Sequence, residues 1–421
     1  MKELIKKYNN KQFIVNIFDK EYNAVFRGEN DKLYFDVIIK QDEELSKIWN
    51  RRVIKLINGK YNEHDIIFIE PYVSVMCYKT ITFTINIFID GFEIGKNIKN
   101  KKISKFLCSF SGINEFDLSK YYEQDIEQDM VKALCMNDEY LLDSGKLIFH
   151  RTNKIASSLM GVKIDKINEF EFDYNKKTDI YAAIKDIWHL KNVLCVFSKK
   201  NITANTITFY TNNNKSGIVF MNYINERIKK SENEIVEHME SNFIINYNNI
   251  KDCFGQIIEK SQECFENISP IISMYIDSIE KEMPKLNKFL ALCQMLECFS
   301  REYDENNAHA LMVQIEPNKA NKDTELKYRL NSLIKRVNYL FRFKTKKITN
   351  LSEKIAKGRN YYIHHDKSKK YNELNYDELF YYGFFLEDIL LANIYMEIGV
   401  SKKVIKNSCF NNSFYYKNNI L

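Results

Sequence analysis

Apolar positions change their period once along this chain. In the first half, β-branched and aromatic residues come in short runs or alternate with polar ones, the period-two mark of strands. Strands are predicted at Phe13–Phe18, Lys32–Ile39, Ile66–Ile69 and Thr80–Ile89. The last alternates Thr and Asn with Ile and Phe, as one half-buried strand would, and Asp90-Gly91 supplies turn chemistry at its end. Further strands are expected at Lys146–His150, Phe170–Tyr174 and Thr206–Tyr210. A helix is expected over Ile184–Ser198, with Ile187, Trp188 and Leu194 on its apolar side.

Past residue 222 or so, the apolar residues recur at three and four. Tyr223–Glu266 is charged and amphipathic and reads as one or two connecting helices, and Pro270 marks a break or a helix start. Lys285–Phe299 has helical spacing. Asp323–Tyr339 carries Leu326, Leu330, Leu333 and Val337 on one stripe, after a polar loop at Pro317. Thr349–His365 is a further helix. Leu379–Ile398 is apolar for about the length of a membrane span, but Glu387 and Asp388 sit at its middle. Charge there is costly in hydrocarbon, so a helix buried in a bundle or at a subunit interface is the better reading, with no membrane partner. Asn375, with Glu378 three residues on, forms a capping box for it, and Gly399 suits its stop; the tail beyond is polar. The fold class is therefore α+β. Residues 1–222 form a β-rich N-terminal domain, 223–268 connecting helices and 269–421 an all-α bundle of four or five helices.

Composition adds bounds. A hydrophobic fraction of 45% supports sizeable cores. The net charge of +6 leans towards a nucleic-acid partner, although a Lys- and Asn-rich bias weakens that inference. Nine cysteines at scattered spacings, with no Cys-x-x-Cys, argue against a disulfide framework or zinc site and suit a reducing cytoplasm. The first ten residues lack the apolar core of a signal peptide. His64, between Glu63 and Asp65, has no second histidine at ligand spacing and reads as a surface turn, so no metal site and no cofactor are expected. His150, His189, His238 and His309 read as structural. No Gly-x-x-x-x-Gly-Lys-Ser/Thr loop supports an ATPase or kinase.

The most specific stretch is Gly358-Arg359-Asn360-Tyr361-Tyr362-Ile363-His364-His365. Arginine binds phosphate as a fixed fork, and histidine exchanges protons near neutral pH. On a helix Asn360 and His364 share a face, whereas Arg359 lies about 140° around from His364. Arg359 also falls near the stripe of Ile348, Leu351 and Ile355, where an unpaired charge is expensive. A structural ion pair, for example with Glu297, and a phosphate-binding role both satisfy that constraint. Lys344, Lys346 and Lys347 precede the helix, and Lys367, Lys369 and Lys370 follow it. They suit a polyanion such as RNA, or are simply a solvated lysine-rich surface.

These residues resemble the R-N-x-x-x-H form of the HEPN ribonuclease signature. Phe289–Glu297 upstream and the long apolar helix ending at Ile398-Gly399-Val400 are similar to the HEPN domain of ApeA-like anti-phage proteins, which also carry a β-rich N-terminal domain. Ile187–Leu194 loosely resembles the end of that domain. The resemblance implies a cytoplasmic endoribonuclease of phage defence (abortive infection) that needs no metal and leaves a 2′,3′-cyclic phosphate. Transfer RNA is its candidate substrate by analogy. The resemblance further implies that His364 is the general acid or base, that Arg359 holds the scissile phosphate, and that Asn360 orients the histidine or bonds phosphate. Glu297 would tune Arg359, and His365 would face solvent or touch RNA. The site is expected to form between two motif helices in a homodimer, with a phage-derived trigger sensed by the N-terminal domain. The rival reading is a non-catalytic RNA-binding or dimerisation module with a partner-recognition N-terminal domain.

Overall fold

A computed structural model describes residues 9–17, 20–29, 32–38, 56–61, 64–69, 71–77, 80–84, 87–91, 102–117, 122–125, 130–133, 135–158, 161–210, 216–221, 244–280, 283–364, 370 and 372–409. The chain separates into two compact units. One comprises residues 1–114, 120–187 and 203–240; the other comprises 115–119, 188–202 and 241–421. The first is β-rich and the second helical, so the α+β reading holds.

The strands of the first unit are β1 (Gln12–Ile17), β2 (Lys20–Glu29), β3 (Lys32–Ile38), β4 (Leu56–Tyr61), β5 (His64–Ile69), β6 (Tyr72–Cys77), β7 (Thr80–Thr84) and β8 (Ile87–Gly91). They continue as β9 (Ile103–Phe110), β10 (Tyr122–Asp125), β11 (Met130–Ala133), β12 (Met136–Leu142), β13 (Gly145–Ser158), β14 (Gly161–Thr178), β15 (Ala204–Tyr210) and β16 (Ser216–Met221). Fourteen make one sheet in the order β12-β13-β14-β9-β15-β16-β8-β5-β4-β1-β2-β3-β7-β6, and β10 pairs with β11. All the pairings are antiparallel, so a strand can bury one face and wet the other. In β1 this gives strict alternation, with Phe13, Val15 and Ile17 buried. Phe13 stacks on Phe26 at 4.0 Å between centroids, and Phe35 stacks on Phe83 at 4.9 Å. A core of Phe13, Phe26, Phe35, Phe68 and Phe83 results.

Two sequence expectations change here. Thr80–Ile89 is not one strand: β7 pairs with β3 and β6, and β8 pairs with β5 and β16. Alternation reports which face is buried and is blind to partner, so it reads straight through a change of neighbour. Asp90-Gly91 does end the strand, but as the last two paired residues of β8, with Ile66 and Asp65 on one side and Ile218 and Gly217 on the other. His64 opens β5 and pairs with Tyr61 of β4.

The longer helices are α1 (Ile180–Ser198), α2 (Phe254–Glu263), α3 (Phe265–Glu280), α4 (Lys285–Tyr303), α5 (Glu305–Ile315), α6 (Leu326–Arg336), α7 (Thr345–His364), α8 (Tyr376–Glu397) and α9 (Lys402–Cys409). Pro270 neither breaks nor starts a helix but lies inside α3. Most of Tyr223–Ile244 lies outside the described residues. The polar tail is in part the helix α9.

α8 has more buried residues than any other described helix of the bundle. Phe385, Leu386, Ile389, Leu390, Ile394 and Tyr395 are sealed, each such side chain contributing roughly 1.5–3 kcal/mol. Its start is the expected capping box: Asn375 accepts from the Glu378 N–H at 2.8 Å, and Glu378 accepts from the Asn375 N–H at 2.9 Å. At its end Gly399 takes φ +88, and the Val400 N–H reaches the Tyr395 carbonyl at 2.8 Å. The mid-helix carboxylates are paired. Glu387 accepts from the Tyr275 hydroxyl at 2.9 Å and the Lys288 ammonium at 2.7 Å, and Asp388 accepts from Lys199 at 3.0 Å. Burial pushes the Glu387 pKa up, but the charges of Lys199 and Lys288 and the hydrogen bonds from Lys288 and Tyr275 outweigh it, holding the carboxyl below its ordinary range. No described helix is long and apolar enough to cross a membrane.

Candidate functional site

The motif lies in the last turns of α7, whose Ile348, Leu351, Ile355, Ala356 and Tyr361 are buried. The helix is pinned at this end by the segment leading into α8. Gly358 packs so closely on Leu374 that a Cβ there would lie 2.7 Å from Leu374 Cδ1 and 2.8 Å from its Cγ. The Tyr362 hydroxyl donates to the Leu374 carbonyl at 2.7 Å and accepts from the Leu374 N–H at 3.2 Å. Sequence reasoning missed this clamp. A glycine inside a helical pattern was the available signal, because it costs helix stability unless something must approach closely.

Arg359 sits at the edge of the apolar stripe, with 24% of its side chain exposed. Its guanidinium donates to Glu297 Oε2 at 3.3 Å and to Asn360 Oδ1 at 3.1 Å. Glu297, on α4, also accepts from Arg301 at 2.9 Å, so one carboxylate serves two arginines. The anticipated Arg359–Glu297 pair is therefore present; the i,i+4 partner Arg301 was readable from spacing but was overlooked. Arg359 also lies near the buried Cys293 thiol: burial pushes that pKa up, and the arginine's charge opposes the rise.

Asn360 and His364 are both exposed, as residues on one outward face should be. His364 forms no hydrogen bond among the described residues, and its face is open. A cavity of about 470 Å³ opens beside Arg359 and Asn360, over Leu326 and Ala356, rimmed by Asp323, Glu325 and Glu353. Thus Arg359, Asn360 and Glu297 are brought together, while His364 is not among the residues lining that cavity.

Lys344 and Lys346 are exposed, and Lys347 lies 5.0 Å over the Phe343 ring, with partial burial lowering its pKa. Lys346 is 18 residues from His364, about 27 Å along the helix, too far to share its phosphate. Lys370 is exposed; His365, Lys367 and Lys369 lie outside the described residues. The described residues hold no His/Cys/Asp/Glu group fit for a metal ion. His189 bonds Ser261 at 2.7 Å, His150 bonds Asn137 at 3.0 Å, and His309 bonds the Ala320 carbonyl at 3.1 Å, in keeping with structural roles; His238 lies outside the described residues.

The helical unit carries Arg-Asn and His at this spacing on α7, and residues 290–404 match the Apea-like HEPN family. Residues 20–260, more than half of the chain, match ApeA N-terminal domain 1. The chain belongs to the ApeA-like family of HEPN anti-phage proteins. No curated protein and no solved structure shows significant similarity to it.

Proposed function

We propose that this chain is a HEPN endoribonuclease that cuts RNA without a metal in anti-phage defence. The observation that supports this most is the outward placement of Asn360 and His364 beside an arginine held at a cavity rim. RNA supplies its own nucleophile, the ribose 2′-OH. His364 as base takes the 2′-OH proton; O2′ bonds to phosphorus; the P–O5′ bond breaks, and the leaving O5′ takes a proton. The products are a 2′,3′-cyclic phosphate and a 5′-OH. General acid–base help of this kind is worth roughly 10²–10⁴-fold. Arg359 stabilises charge developing on the non-bridging oxygens. Glu297 keeps the guanidinium placed, and Asn360 holds its edge.

A single imidazole cannot be base and acid in the same step. Two copies of α7 facing one another supply both, so the working form is a homodimer acting in the cytoplasm. Residues 1–222 then sense infection, through a phage-derived trigger, and restrain the bundle at 269–421 through the connecting 223–268. Transfer RNA is the substrate class to try first.

The Arg359–Glu297 pair favours one alternative, since a neutralised guanidinium also fits a non-catalytic RNA-binding or dimerisation module. Purified wild type, His364→Ala and Arg359→Ala, incubated with RNA and EDTA, separate the readings. Cleavage by wild type alone is expected, with cyclic-phosphate ends. Equal degradation by all three proteins overturns the assignment, and tight binding without cleavage selects the alternative.

A further inference from the structure

α8 buries 14 of its 22 residues, yet Tyr376, Phe380 and Phe384 keep 68%, 38% and 41% of their surface in solvent. They recur every four residues and form a ladder on one face, with rungs about 6 Å apart. Phe380 and Phe384 touch edge to face at 4.8 Å. Two lysines of α4 lie on the ladder. The Lys285 ammonium is 3.5 Å from the Tyr376 ring centre and 4.2 Å from that of Phe380, and Lys288 is 5.4 Å from that of Phe384. Lys288 is neutralised by Glu387. Lys285 has no carboxylate partner among the described residues. Exposed aromatic rows of this kind mark interaction surfaces.

We infer that this ladder is a stacking platform for single-stranded RNA, feeding the strand to the motif helix. The inference rests on the nuclease reading of that helix. Bases stack on aromatic rings irrespective of sequence, and an ammonium among the rings meets the phosphate between stacked bases. A second copy of this chain is the poorer occupant. A two-fold contact through the ladder would bury both copies of Lys285, and interface centres are depleted of such charges. The ladder also starts next to the motif: Tyr376 is two residues from Leu374, which rests on Gly358 immediately before Arg359.

The test uses the full chain carrying His364→Ala, so that RNA survives, and fluorescent oligoadenylate. Phe380→Leu with Phe384→Leu keeps the apolar volume and removes the rings; Lys285→Gln removes the cation. Loss of one stacked base costs roughly 5- to 150-fold in affinity, so the double variant is expected to bind at least 5-fold more weakly at an unchanged melting temperature. Lys285→Gln is expected to flatten the salt dependence of binding. Unchanged RNA affinity in the double variant overturns the inference. So does a dimer that dissociates in the double variant while RNA affinity holds, which would make the ladder a self-contact. The two readings fail separately. Wild-type cleavage with a ladder-independent affinity sinks only the platform, and ladder-dependent binding without wild-type cleavage sinks only the nuclease.

Discussion

Replacing Gly358 by alanine sets two effects of known size against each other. Inside a helix, Gly→Ala normally stabilises by about 0.8–1.0 kcal/mol through backbone entropy and solvation. Here the new methyl would lie 2.7 Å from Leu374 Cδ1 and 2.8 Å from Cγ. The terminal methyl can swing aside, but Cγ moves only if Leu374 changes rotamer or its backbone shifts. Leu374 is buried, and both its backbone groups are tied to the Tyr362 hydroxyl, so the shift is resisted. Overpacking of this kind costs about 1–3 kcal/mol, and with two contacts under 3 Å the upper half of that range applies. The expected net result is a loss of about 1–2 kcal/mol, lowering the melting temperature of a unit this size by about 2–8 °C. Urea denaturation of wild type, Gly358→Ala, Leu374→Ala and the double variant measures it. The double variant should recover part of the loss, because Leu374→Ala vacates the space the methyl needs. A Gly358→Ala protein more stable than wild type, or strictly additive losses in the double variant, would refute the argument that close approach fixes this glycine.

Glu387→Gln removes the carboxylate that pairs with Lys288, whose side chain is still 28% exposed, and should cost about 3 kcal/mol, the low end for a buried pair. Because the folded Glu387 pKa lies below its unfolded value of about 4.3, its contribution is full above that pH and is lost as pH falls through the folded value. Urea midpoints from pH 6 to 3 should therefore fall less steeply in the Gln variant. Asn375→Ala breaks the capping box of α8 and should cost about 1 kcal/mol, read by the same denaturation. Arg359→Lys keeps the charge but loses the fork that reaches Glu297 and Asn360 together; RNA cleavage should drop at least tenfold, with lysine recovering little over alanine.

Much of this was legible in the chain because the deciding interactions are local. The capping box at Asn375 and Glu378 and the left-handed stop at Gly399 are written within a few residues of the helix ends they govern. The stripe of Ile348, Leu351 and Ile355 correctly placed Arg359 on a costly line, and chemistry then demanded a carboxylate. What could not be read depended on partners distant in sequence. Nothing in Thr80–Ile89 tells that its two halves join different neighbours. Asp388 is answered by Lys199 from 189 positions away, and Gly358 by Leu374 from another segment of the chain. The first lysine cluster shows how sequence distance and distance along a helix part company. Lys346 opens the same twenty-residue helix that carries the motif, yet it lies about 27 Å along that helix from His364.

The carboxylates inside α8 have a consequence before the protein has any fold. During synthesis Leu379–Ile398 emerges as an extended greasy segment of the length that membrane-insertion machinery accepts. Two acidic groups at its centre carry a penalty of roughly 2.5–3.5 kcal/mol each on insertion scales, enough to tip a nascent chain away from the bilayer. Once the bundle closes, Lys199, Lys288 and Tyr275 satisfy those same groups. One Glu-Asp pair thus serves twice, as a sorting mark in the unfolded chain and as a register lock in the folded one.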